Sequence, residues 1–82
     1  MSPTIHRERG YKFYFWVGEV ATEPPHVHLW GNGGSMKVWL NDLSIAECYK
    51  IPIHEQTKLL KIIKEHCREF LKKWYEIKKR TN

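Results

Sequence analysis

Near residue 53 the hydrophobic period of this chain changes, and that change constrains its fold more than any other feature. Ahead of it, apolar residues alternate. In "YKFYFWV" (residues 11–17), Tyr11, Phe13, Phe15 and Val17 share one parity, and Lys12, Tyr14 and Trp16 share the other. That period of two is the signature of a strand with one covered face. Beyond it, Leu59, Ile63, Cys67, Phe70, Trp74 and Ile77 recur at steps of three or four, with Leu60 and Leu71 widening the stripe. That spacing is an amphipathic helix. A sheet with one apolar face and a helix with one apolar stripe cover each other. The expected fold is therefore α+β: an antiparallel meander of four or five strands with a C-terminal amphipathic helix packed on one face.

The strands and turns follow from local chemistry. Thr4 to Glu8 and Tyr11 to Val17 read as two strands around the turn Glu8-Arg9-Gly10. Gly18 to Pro25 reads as a loop, because prolines fix their own φ and push the preceding residue toward extended backbone. "HVHLW" (26–30) is the third strand, "GNGGS" (31–35) a turn, and "MKVWL" (36–40) the fourth strand, followed by Asn41-Asp42 as a tight turn. Leu43 to Tyr49 is a weaker fifth strand. The helical pattern runs from His54 to Arg80 with no good capping side chain at Pro52 or Ile53. Unbroken, it would be roughly 40 Å long, too long for so small a sheet, which favours a break near Glu65 to Arg68. A chain of 82 residues has room for one domain, with residues 1–50 forming the sheet and 51–80 the helical part.

Parity then sorts the side chains. Phe13, Phe15, Val27, Leu29, Val38 and Leu40 fall on one face as the core under the helix. Lys12, Tyr14, Trp16, His26, His28, Trp30, Lys37 and Trp39 fall on the other. Aromatic rings on an open sheet stack bases, and amines and imidazoles meet phosphates, so this list reads as a nucleic-acid surface. The bland alternative is a second small core or a dimer interface built on the tryptophans.

Within that list, "EPPHVHLW" (23–30) places two histidines on alternate strand positions, about 6.5–7 Å apart. Two imidazoles so placed can flank one phosphate, one accepting a proton and the other giving one. In metal-independent ribonuclease chemistry His26 and His28 would be the acid–base pair. Lys37, Arg7 or Arg9 would stabilise the transition-state charge, and Lys12 would hold a phosphate. The same spacing suits two metal ligands, but a metal site needs a third. His6, Glu23 and Asp42 are candidates with no spacing to recommend any of them, so no metal or other cofactor is expected. A third alternative is plain contact or structure. His54 and His66, at the start of the helix and on it, read as structural, and His6 is within reach of the open face.

The net charge of +5 sits wholly in the last third. Residues 1–53 balance five basic groups against five acidic ones, while residues 54–82 carry nine against four. That surplus suits nucleic acid or an acidic partner, or simply a solvated helix face. Cys48 and Cys67 share no disulfide or metal spacing and have no neighbouring base for nucleophilic work. No apolar run opens the chain or approaches the ~20 residues of a membrane span. A reduced cytoplasmic setting is the expectation.

"MSPTI", "GYKFYFW", "EPPHVHLW", "KVWL" and "FLKKW", spread over nearly the whole chain, resemble the small bacterial family called domain of unknown function 4160. The resemblance implies the toxin of a type II toxin–antitoxin module, whose growth inhibition a small antitoxin protein relieves. It carries the motif histidines to His26 and His28, while the tryptophans of "LWGNGGSMKVWL" and the lysine-rich helix depart from the family's usual pattern. Together with the sheet face it implies action on RNA, with Trp16, Trp30 and Trp39 as stacking platforms. A non-catalytic module that binds protein or nucleic acid, and a metal-dependent hydrolase using His26 and His28, are the alternatives. A homodimer and a hetero-complex both remain compatible with the sequence.

Overall fold

The computed structural model describes residues 3–81; Met1 and Ser2, which open "MSPTI", lie outside the described residues. Five strands, β1 (Thr4–Glu8), β2 (Tyr11–Tyr14), β3 (His26–Gly31), β4 (Gly34–Trp39) and β5 (Ile45–Tyr49), form one sheet. Its order is β1-β2-β3-β4-β5 with every neighbouring pair antiparallel. The expected α+β meander is the observed fold. Three helices complete it: α1 (Val17–Thr22), α2 (Ile53–Glu65) and α3 (Cys67–Thr81). Among the described residues no helix is long and apolar enough to cross a membrane.

Turn chemistry fixes the register. Arg9 and Gly10 have φ of 56° and 83°, and Asn32 and Gly33 have φ of 50° and 78°. Two consecutive positive φ values make the primed turn whose twist matches two antiparallel strands. Each turn is closed by a direct strand pair, Glu8 with Tyr11 and Gly31 with Gly34. The second turn is thus two residues long, shorter than the five expected, and β4 starts at Gly34. Between β4 and β5 the expected Asn41-Asp42 turn is instead a five-residue connection, 40–44. There Trp39 N donates to Ser44 O and the Asp42 carboxylate accepts from Ser44 N and Oγ.

The core lies between the sheet and α2 and α3. Phe13, Phe15, Val27, Leu29, Val38 and Leu40 are all buried, as parity requires, and Tyr11 and Met36 join them. From the helices Leu59, Ile62, Ile63, Phe70 and Trp74 close over them, with Leu60, Leu71 and Ile77 partly buried at the margin. The helical pattern is broken at His66, within the span expected for a break, where φ and ψ leave helical values at −106° and 11°. The break lets α3 change direction and run to the far end of the sheet, where its Trp74 meets Phe15 at 5.2 Å between ring centroids.

One element was not expected. Residues 18–25 are not a loop throughout: β2 stops at Tyr14, and Val17–Thr22 forms a short helix that packs against α3 through buried Val20. Pro24 explains where α1 ends. A proline disfavours helical backbone at the residue before it, and Glu23 is extended at φ −121° and ψ 160°.

Candidate functional site

The face of the sheet away from α2 and α3 carries side chains in cross-strand rows. One row runs Arg7, Lys12, Trp30, Ser35 and Tyr49 across all five strands. The next runs Tyr14, His28, Lys37 and Glu47. A third, at the end where β2 gives way to α1, pairs His26 with Trp39. Arg7, Lys12, Trp30, Glu8 and Tyr11 line an open hollow of about 600 Å³. Tyr14, His28, Lys37, Glu47 and Tyr49 line a second of about 250 Å³.

Trp30 and Trp16, 53% and 44% exposed, and Tyr49, 57% exposed, are the large apolar groups of this face that solvent reaches most. Trp39 is partly covered, with Lys37 Nζ 4.6 Å from its ring centroid. Lys12 Nζ stands 5.2 Å from the Tyr14 ring centroid. Lys37 is not a spare cation: its Nζ donates to Glu23 Oε1 at 3.0 Å. Arg9 is absent from the face altogether. It sits in the β1–β2 turn and donates Nε and a second guanidinium nitrogen to the two oxygens of Glu55, at 2.8 and 3.0 Å. Arg7 and Lys12 make no ion pair among the described residues.

His26 corrects the expectation drawn from parity. It belongs by alternation to the open face, yet it is fully buried. β2 ends opposite His28, so nothing extends the sheet beside His26. The chain turns there into α1, and Trp74 from α3 closes the gap with its ring 5.0 Å from the imidazole. At a strand end, alternation no longer decides exposure. The two imidazoles, 5.1 Å apart and nearly perpendicular, therefore do not both reach the open face. His28, with its side chain 15% exposed, is the one that solvent touches.

What joins them is Glu19 of α1. A single carboxylate oxygen, Oε1, lies 2.8 Å from His26 Nε2 and 2.6 Å from His28 Nε2. His26 Nδ1 lies 2.9 Å from the Pro24 carbonyl oxygen, which can only accept, so Nδ1 carries a proton. Burial pushes the Glu19 carboxyl up, but the hydrogen bonds and charges of both histidines more than offset this and hold it below the usual carboxylate range. Tyr14 stacks on His28 at 5.3 Å. Burial raises its hydroxyl pKa against a lowering contact from Trp16, with the Glu19 charge adding to the rise.

The "EPP" stretch now has a use for each residue. Glu23 takes Lys37, the Pro24 carbonyl orients His26, and the Pro25 carbonyl accepts from Leu40 N, which fixes β3 against the end of β4.

The third-group candidates weighed on sequence go elsewhere. His6 packs inward, 4.3 Å from the His66 ring and 5.3 Å from Phe13, and bonds Glu8. Glu23 holds Lys37, and Asp42 caps its own loop through Ser44. Glu19 was missed because Gly18 to Pro25 reads as a loop that follows a strand ending at Val17. The available signal was Val17 and Val20 at helical spacing just ahead of a helix-ending Pro24.

The model of one protein family, the domain of unknown function DUF4160, matches residues 10–75. No curated protein and no solved structure matches the chain.

Proposed function

The chain belongs to the DUF4160 family, and on that premise we propose that it is the toxin of a bacterial toxin–antitoxin pair that acts on single-stranded RNA in the cytoplasm. The open sheet face would hold the strand, and the Glu19–His26–His28 cluster at its edge would be the reaction centre. The observation that carries this reading is the pair of cross-strand rows: the cations Arg7 and Lys12, unpaired among the described residues, beside exposed Trp30, next to Tyr14 stacked on His28. Bases stack on exposed rings for about 1–3 kcal/mol each without regard to sequence, and flanking cations take the phosphates.

Residue roles follow. Arg7 and Lys12 bind phosphate, Trp30 and Trp16 stack bases, and Lys37 with Trp39 borders the strand's path toward His28. His26, being buried, touches no substrate. It positions Glu19, and Glu19 with His28 presents the centre to solvent.

Expression of the chain in bacteria should arrest growth, and co-expression of the small protein encoded beside it should relieve the arrest. Purified protein should degrade unstructured RNA. His28→Ala should abolish degradation and growth arrest while leaving RNA affinity within a few-fold. Lys12→Ala should lower affinity.

A binding-only role is favoured by one observation, the burial of His26, which leaves one imidazole of the pair within reach of the open face. It predicts that His28→Ala is silent, that RNA stays intact, and that neutralising Lys72, Lys73, Lys78 and Lys79 on α3 weakens binding.

A further inference from the structure

We propose that Glu19, His26 and His28 form a binding site for one divalent transition-metal ion of the zinc class, with Glu19 Oε1, His26 Nε2 and His28 Nε2 as ligands and a fourth position open to solvent. The inference deepens the reading of this cluster as a reaction centre and rests on it only for what the ion would act on.

Three independent features point to it. The first is convergence: the three ligand atoms come from α1 and from alternate positions of β3 and lie within 4.8 Å of one another. Two imidazoles and one carboxylate, all ending on the same point, are the donor set of many open transition-metal sites. The second is tautomer. Because the Pro24 carbonyl holds a proton on His26 Nδ1, the lone pair of the neutral ring lies on Nε2, aimed at a carboxylate oxygen 2.8 Å away. Two electron-rich atoms at that distance need a positive centre between them, which is a proton or a metal ion. A backbone carbonyl on the remote ring nitrogen is the outer contact that metal-bound histidines regularly have.

The third is preorganisation. His26 is packed between Trp39 and Trp74, at 5.3 and 5.0 Å, and cannot turn away. Its partners are less enclosed: Glu19 is 31% exposed on a helix of six residues, and His28 borders the open face. The ligand atoms of a tetrahedral zinc ion lie about 3.3 Å apart. The observed contacts of 2.8 and 2.6 Å are those of the proton-held form. Outward movement of Glu19 and His28 by about half an ångström reaches the metal-bound spacing. The open position would then face Tyr14 and the hollow lined by His28 and Lys37.

A second group, His6, Glu8 and His66, also brings three donor atoms together. It converges less tightly: His66 Nε2 is 3.9 Å from Glu8, and the other ring nitrogen is turned to Glu69. It serves as the internal control.

The test uses the full chain and its Glu19→Gln, His28→Gln and His66→Ala variants, with circular dichroism to establish that each is folded. Zn²⁺ affinity is measured by competition with a chromogenic chelator, and Co²⁺ is added for its visible absorption. The parent and His66→Ala should bind one ion with equal affinity and give the intense bands of low-coordinate Co²⁺. Glu19→Gln and His28→Gln should lose at least tenfold in affinity, and those bands with it. Absence of binding by the parent, equal binding by Glu19→Gln, or loss confined to His66→Ala would overturn the proposal. RNA affinity, read from tryptophan quenching in the same samples after chelation, separates the two readings. Retained RNA binding without metal binding refutes the metal site alone, and metal binding without RNA binding refutes the RNA reading alone.

Discussion

Lys37 Nζ meets Glu23 Oε1 at 3.0 Å, tying the residue that ends α1 to the middle of β4 across the start of β3. The pair divides the cations of the open face into one that is compensated and others that are not. Lys12→Ala should therefore weaken RNA binding more than Lys37→Ala, and it should reduce the slope of log K against log salt by about one. Glu23→Gln should raise affinity by releasing Lys37. Titrations at several salt concentrations check all three, and equal effects of the two lysines would refute the division.

Neighbouring histidines should behave differently on truncation. His26 is buried, bonded at both ring nitrogens and wedged between two tryptophans. His26→Ala leaves a cavity and an unpaired carbonyl and should cost about 2–4 kcal/mol of stability. His28→Ala, at the margin of the face, should cost about 1 kcal/mol or less. Urea unfolding of the two variants decides it, and the difference means that loss of activity in His26→Ala says nothing about chemistry.

Trp74 is fully buried, and its Nε1 has no hydrogen-bond partner among the described residues. Its worth is therefore in packing. Trp74→Ala should cost about 3–5 kcal/mol. Trp74→Phe keeps a ring against Phe15 and removes the unpaired N–H, so it should cost about 1–2 kcal/mol. A thermal or urea midpoint for Trp74→Phe as low as that for Trp74→Ala would contradict this account.

The Arg9–Glu55 bridge gives an acid dependence of known sign. The hydrogen bond from Arg9 holds the Glu55 carboxyl below its ordinary value of 4.5, with the Arg9 charge adding to the effect. Its contribution is present above that value and is lost as pH falls through the lowered folded one. Glu55→Gln should thus be less stable than the parent near neutral pH, and the two should converge as pH falls through the lowered folded value. Unfolding midpoints across that range test the sign.

Most of the fold was legible because it rests on periodicity. Alternation in "YKFYFWV", "HVHLW" and "MKVWL" found the three central strands and put Phe13, Val27 and Val38 in the core. Steps of three and four found α2 and α3. The site was less legible. Six residues make fewer than two turns of helix, too few for a period to show, so α1 and Glu19 went unseen. His26 was misplaced because parity describes the middle of a strand, and its burial depends on Trp74, which lies 48 residues further on (74 − 26). Arg9 was grouped with the face because its pairing with Glu55 is equally remote in sequence.

One contact has a mechanical consequence. The Trp74 ring is at once the anchor of α3 and the back wall behind His26. The last third of the chain, where the surplus positive charge sits, thereby has a lever on the Glu19 cluster. A shift of α3 would reach His26 through that one ring, and by reciprocity occupancy of the cluster would reach α3. A protein seated on the outer surface of α3 would have a hand on the centre without ever touching the sheet.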